Sequence, residues 1–82
     1  MGLEQFYGVY LEGPGLAEPM RVRGHTLTSE LARTVEQEAG YQRDRERGQP
    51  LTIKVYREQW RGQELVSKEE LPEWERKPRR GH

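Results

Sequence analysis

The chain of 82 residues carries 14 basic and 14 acidic side chains, so its formal net charge is zero, and 32% of its residues are hydrophobic. This length gives room for one domain with a small core, and the absence of cysteine excludes disulfides and thiolate metal sites. No apolar run approaches the ~20 residues of a membrane helix and residues 1–5 lack the features of a signal peptide, so we expect a protein of the reducing cytoplasm.

The first two predicted elements are strands separated by a turn. Residues 5–12, QFYGVYLE, carry apolar side chains on both faces of a period-two pattern, which is typical of a central strand. Gly8 interrupts one face and predicts the close approach of either backbone or a large neighbour. Two prolines and two glycines in residues 13–19 predict a turn, and a second strand follows at residues 20–23. Its side chains alternate between Met20 and Val22 on one face and Arg21 and Arg23 on the other.

The clearest element is a helix between Thr26 and Gly40. Thr28 has the side chain of an N-cap, and Gly40 is predicted to close the helix in a left-handed conformation, with Tyr41 folded back onto Val35. The alternative, a helix that runs on through residues 42–47, would bury no apolar side chain, so this segment is predicted to be a charged loop or a frayed extension. Apolar side chains recur at helical spacing, at Leu27, Leu31, Val35 and Ala39.

A third strand and a weaker fourth element follow. The fourth element is a short edge strand at residues 64–66. Ser67 and Glu70 then have the spacing of a capping box, which predicts a helical turn that is limited by Pro72. Trp74 is expected to dock on the core. The third strand, which precedes these elements at residues 51–56, directs one set of side chains toward the core and the alternate set to the opposite face. The core-facing set is Leu51, Ile53 and Val55, and the other set is Thr52, Lys54 and Tyr56.

The order strand, strand, helix, strand, strand predicts an α+β fold, a single small domain over residues 1–75 with one helix packed on a mixed or antiparallel sheet. This ββαββ order is β-grasp-like at the level of element order only. Residues 76–82 are predicted to be a flexible basic tail. Charge is laid out in blocks along these elements, because residues 64–75 sum to −4 and residues 76–80 to +4.

No catalytic, cofactor-binding or metal site is predicted. Asp44 is the only aspartate, and the two histidines, His25 and His82, are far apart in the sequence and have no neighbouring His or Cys. The glycines of residues 13–15 are not followed by the lysine of a phosphate-binding loop. We therefore expect a domain that is not an enzyme and needs no cofactor.

Arginine and aromatic side chains interleave on the predicted sheet. If they share the face opposite the core, they form a basic strip of seven residues, namely Arg21, Arg23, Lys54, Tyr56, Arg57, Trp60 and Arg61. Such a strip is typical of a solvated surface, of a protein-binding hot spot or of a platform for single-stranded nucleic acid. The zero net charge argues against nucleic acid, whose partners usually carry a positive excess.

The leading hypothesis is a small protein-binding domain, adaptor-like or inhibitor-like, that uses this strip, and a phage or other mobile element would suit such a protein. The alternative is a nucleic-acid-binding accessory protein that adds phosphate contacts from the tail, at Arg76, Lys77, Arg79 and Arg80. A third hypothesis is a homo-oligomer that forms through the poorly protected strand at residues 64–66. No membrane partner is expected.

Overall fold

One helix and four strands make up the part of the protein that a computed structural model describes, residues 2–43 and 51–77. All strand pairs are antiparallel, in the spatial order β2-β1-β3-β4. The predicted α+β class and element order are confirmed, and of the two sheet types expected the antiparallel one is found. The elements are β1 (Glu4–Glu12), β2 (Met20–His25), α1 (Thr28–Arg43), β3 (Thr52–Arg61), β4 (Glu64–Glu70) and a 3₁₀ turn (Pro72–Trp74).

The core lies between α1 and one face of the sheet. The inward alternation predicted for β3 is confirmed, and Trp74 packs against the core as expected. Leu27 precedes α1 and is 57% exposed, so the buried helical stripe begins one turn later than predicted, at Leu31. The buried core side chains are Val9, Leu11, Leu31, Val35, Ile53, Val55 and Leu71.

The helix does not end at Gly40, contrary to the sequence prediction. Among the described residues only Gly62 has a positive φ, so Gly40 continues the right-handed helix, which runs to Arg43. Tyr41 is 60% exposed and does not fold back on the core. The last turn gains a tertiary contact instead, because the side-chain oxygen of Gln42 accepts a hydrogen bond of 3.0 Å from the backbone N–H of Leu51. The predicted charged loop, from residue 44 onward, lies outside the described residues.

The second correction concerns β4, which extends over seven residues where a three-residue strand and a capped helix were predicted. Ser67 lies opposite Gln59 and Glu70 opposite Tyr56 in a continuous antiparallel ladder with β3. These residues therefore form strand, and the capping box predicted at Ser67 does not form. The single helical turn comes later, at Pro72–Trp74, and has no side-chain cap.

The chain after β4 returns to β3. The backbone N–H of Leu71 donates to the carbonyl of Val55 at 2.8 Å, and Arg76 and Ile53 exchange two backbone hydrogen bonds of 2.9 Å. The segment predicted as a basic tail thus begins with a residue that pairs with the sheet. Residues 78–82 lie outside the described part of the chain.

Candidate functional site

The face of the sheet that lies opposite the core is called the open face. Because successive side chains of a strand alternate between faces, the burial of Val9 and Leu11 against the core directs Gly8 and Tyr10 to the open face. The pairing of β1 with its neighbours brings aromatic and charged side chains together there. The open face consists of Phe6, Gly8, Tyr10, Arg21, Lys54, Tyr56, Glu58, Trp60 and Lys68.

Glu58 lies at the centre of the open face, and its side chain has no exposed surface. Its carboxylate accepts hydrogen bonds from Arg21 Nε at 2.9 Å and Arg21 Nη2 at 2.7 Å, and from Trp60 Nε1 at 3.0 Å. The hydroxyl of Tyr10 donates a further short bond to the same carboxylate. One acidic side chain thus joins strands β1, β2 and β3 on this face.

The protonation states of this cluster follow from its hydrogen bonds. Burial alone would raise the pKa of Glu58, but the donors Arg21, Tyr10 and Trp60 stabilise the ionised form, and the pKa of Glu58 is lowered. Burial, together with the bond to Glu58, raises the pKa of Tyr10. The same carboxylate raises the pKa of Arg21, against the effect of burial. At neutral pH the cluster therefore consists of a carboxylate, a neutral phenol and a guanidinium.

Two glycines make room for this ion pair. Gly8 and Gly24 lie opposite each other on β1 and β2. A Cβ on Gly8 would stand 2.8 Å from Glu58 Oε1, and a Cβ on Gly24 would meet the guanidinium of Arg21. The close approach predicted from Gly8 is found, and the large neighbour is the Glu58 side chain.

Cations and aromatic rings form the outer layer of the open face. The guanidinium of Arg21 lies 5.1 Å from the ring centroid of Trp60. The ammonium of Lys68 lies 4.4 Å from the ring centroid of Tyr10 and 4.6 Å from that of Tyr56, and these two rings meet edge to face at 5.0 Å. Such contacts favour one arrangement of the side chains.

Lys54, which lies opposite Tyr10 on the open face, is held by two carboxylates. Its Nζ lies 3.6 Å from Glu12 and 3.6 Å from Glu70, and Tyr56 donates its hydroxyl to Glu12 at 3.3 Å. Burial lowers the pKa of Lys54, but the neighbouring carboxylates outweigh this effect and raise it. Lys54 is therefore charged at neutral pH and is paired with two carboxylates.

The predicted basic strip is divided between the two faces of the sheet. Arg21, Lys54, Tyr56 and Trp60 lie together on the open face. Arg23 lies opposite Val9 while Arg21 lies opposite Tyr10, so Val22 is an extra residue in a β-bulge and the two arginines point to opposite faces.

The remaining predicted residues lie away from the open face. Arg57 is opposite Tyr7, on the core side, and its Nη1 is 3.4 Å from Glu69. Strand alternation places Arg61 on that side as well. In the predicted tail, Arg76 pairs with Glu36 at 2.8 Å and Lys77 lies 3.8 Å from Glu75. Arg79 and Arg80 are outside the described residues.

The predicted strip missed five residues of the open face, namely Phe6, Gly8, Tyr10, Glu58 and Lys68. The signal for Glu58 was present, since it alternates with Tyr56 and Trp60 in β3 and must share their face. Its role depends on Arg21 and Tyr10, whose positions opposite each other follow from strand register. Lys68 was missed because its segment was predicted to be a helical turn.

Comparison of the chain with protein-family models, with curated proteins and with solved structures found no match. Within residues 2–43 and 51–77, no helix is both long and apolar enough to cross a membrane. The same residues contain no group of three or more His, Cys, Asp or Glu side chains placed to hold a metal ion.

Proposed function

We propose that the protein is a small non-enzymatic domain that binds another protein through its open face and acts as an adaptor or inhibitor of that partner. The observation that carries this proposal is the Glu58 cluster, which holds Arg21, Tyr10 and Trp60 in one arrangement. Arg, Tyr and Trp are the residues that most often dominate protein interfaces. A surface whose side chains are already ordered loses less entropy on binding. Such a protein would suit a phage or other mobile element and the reducing cytoplasm.

The charges of the open face favour a protein over a nucleic acid as the partner. Arg21 is paired with Glu58, Lys54 with two carboxylates, and Lys68 lies over two tyrosine rings. Nucleic-acid affinity depends largely on cations that are available to phosphates, and these three are already engaged. We expect no binding of short DNA or RNA oligonucleotides at physiological ionic strength, and a steeply salt-dependent complex would reverse this preference.

The state of the Glu58 cluster also favours binding over catalysis. A general acid or base works best when its pKa lies near the working pH. The pKa of Glu58 is lowered and that of Tyr10 is raised, so both move away from neutrality. Both groups are also buried and bonded to each other. The hydrogen bond between Glu58 and Tyr10 therefore stabilises the open face, and neither group is placed to exchange a proton with a substrate.

The test is quantitative capture of partner proteins from a lysate of the native host, with wild-type protein and two matched tyrosine variants. Tyr56→Ala removes an aromatic ring from the open face, and Tyr41→Ala removes an exposed ring from the helix. We expect Tyr56→Ala to reduce capture of a specific protein by about thirtyfold, as an interface hot spot does. Tyr41→Ala should leave the capture unchanged, and circular dichroism should show that both variants are folded.

Two results would contradict the proposal. Equal capture by wild type and Tyr56→Ala would show that the open face is not the interface. A loss confined to Tyr41→Ala would place the interface on the helix.

A further inference from the structure

A second surface lies on the core side of the sheet, where α1 passes beside the edge strand β2. Within the described residues β2 pairs with β1 alone, so its outer edge presents backbone donors and acceptors without a strand partner. Between this strand and the helix runs an open groove of about 690 Å³, a volume in the range of ligand-binding clefts. Its lining includes Arg23, His25, Glu30, Arg33, Thr34 and Gln37.

The floor of the groove is fixed by a contact between the two elements. His25 Nε2 and Thr34 Oγ1 are 2.6 Å apart. Thr34 is 6% exposed and the side chain of His25 is 10% exposed. The end of β2 is therefore tied to the middle of α1, and the groove between them is preformed.

The groove has two basic side chains that no described carboxylate neutralises. Arg23 and Arg33 both line it, and within residues 2–43 and 51–77 neither is within ion-pair distance of an acidic group. Of the two glutamates in the lining, Glu36 is bound by Arg76 at 2.8 Å, whereas Glu30 lies 3.9 Å from His25 Nδ1 and forms an ion pair with it only when His25 is protonated. The guanidinium groups of Arg23 and Arg33 are therefore available to bind a ligand, and their planar geometry suits carboxylates.

The same edge also exposes apolar surface. Met20 is 48% exposed and Val22, the bulged residue, is 38% exposed. An extended peptide that lies along β2 would therefore meet apolar side chains at one end of the strand and arginines in the groove. Addition of a strand in this way gives affinity through main-chain hydrogen bonds and specificity through alternate side chains.

We propose that the groove between β2 and α1 binds an extended acidic segment of a protein partner, which lies alongside β2 and places its carboxylates on Arg23 and Arg33. This site is separate from the open face, because Arg23 and the helix lie on the other side of the sheet. The two surfaces can therefore be occupied at the same time.

The test is an NMR titration of the isotope-labelled protein with a short blocked peptide of alternating Thr and Glu, beside a matched peptide of alternating Thr and Lys. We expect the acidic peptide to shift the backbone amides of β2 and the side chains of Arg23 and Arg33, and the basic peptide to shift none of them. Arg23→Gln and Arg33→Gln should each weaken binding by about tenfold, the effect of losing one charge-assisted hydrogen bond. The control Arg61→Gln, at the β3–β4 turn, should bind as wild type does.

Four further results decide the proposal. No shift with the acidic peptide, or equal shifts with the basic one, would overturn it. An acidic peptide with methylated backbone nitrogens should bind much more weakly, and equal binding would exclude alignment with β2. Tyr56→Ala should leave peptide binding intact, so that failure of the open-face proposal and failure of this one are distinguished.

Discussion

Replacement of Glu58 by Gln should destabilise the fold by about 3 kcal/mol, the largest effect that we expect from a single polar substitution. The amide keeps the shape of the side chain but cannot balance the charge of Arg21. Its NH₂ group also replaces one of the two acceptor oxygens, so it loses the bond either from Tyr10, which reaches Oε2, or from Trp60, which reaches Oε1. Removal of one partner of a buried ion pair commonly costs 3–5 kcal/mol, and the lower end applies because the Arg21 side chain is 35% exposed and can regain water. The measurement is urea unfolding at neutral pH.

The matched control is Glu69→Gln. Glu69 is also an acid on a strand that pairs with an arginine, Arg57, but its side chain is 70% exposed. Solvent screens such pairs, so its removal should change stability by less than about 0.5 kcal/mol. Similar losses for the two variants would mean that Glu58 does not hold the open face together.

Substitution of Gly8 by Ala should destabilise the protein by about 1–3 kcal/mol, as overpacking does. The sign of this effect is informative, because Ala inside a strand is normally better than Gly by roughly 0.5–1 kcal/mol. Here the added Cβ would displace the Glu58 carboxylate, which four hydrogen bonds hold in place. Thermal unfolding measures the difference.

Two comparisons isolate the cause of the Gly8→Ala effect. Gly15→Ala adds the same methyl group where no atom lies within 4 Å, and should be close to neutral. In a Glu58→Ala background the penalty of Gly8→Ala should disappear, because the clashing carboxylate is gone. A penalty that persists there would assign the effect to the strand backbone.

The fold was largely predictable because its main elements are encoded locally. The alternation of Ile53 and Val55 and the helical spacing of Leu31 and Val35 reflect burial on one side of each element, and that side is the observed core. The errors lie where local signals compete with tertiary contacts. Ser67 and Glu70 satisfy the spacing of a capping box, yet the ladder with β3 holds them in a strand.

The candidate site was predictable only in part, since it depends on pairing between distant segments. The sequence places Tyr56 and Trp60 on one strand face by alternation alone. The separation of Arg21 from Arg23 requires the bulge at Val22, which no residue pattern indicates. The meeting of Glu58 with Arg21 requires the order of β2, β1 and β3 across the sheet.

The central claim, that an ionised, buried Glu58 organises the open face, is tested most directly by an NMR titration of the Glu58 carboxyl group. An ordinary glutamate has a pKa near 4.3, and we predict that Glu58 titrates at a lower pH than this. The indole N–H signal of Trp60 should shift at the same pH as the Glu58 carboxyl group, because that N–H donates to Glu58. A Glu58 that titrates at or above the ordinary value, with no response from Trp60, would contradict the claim.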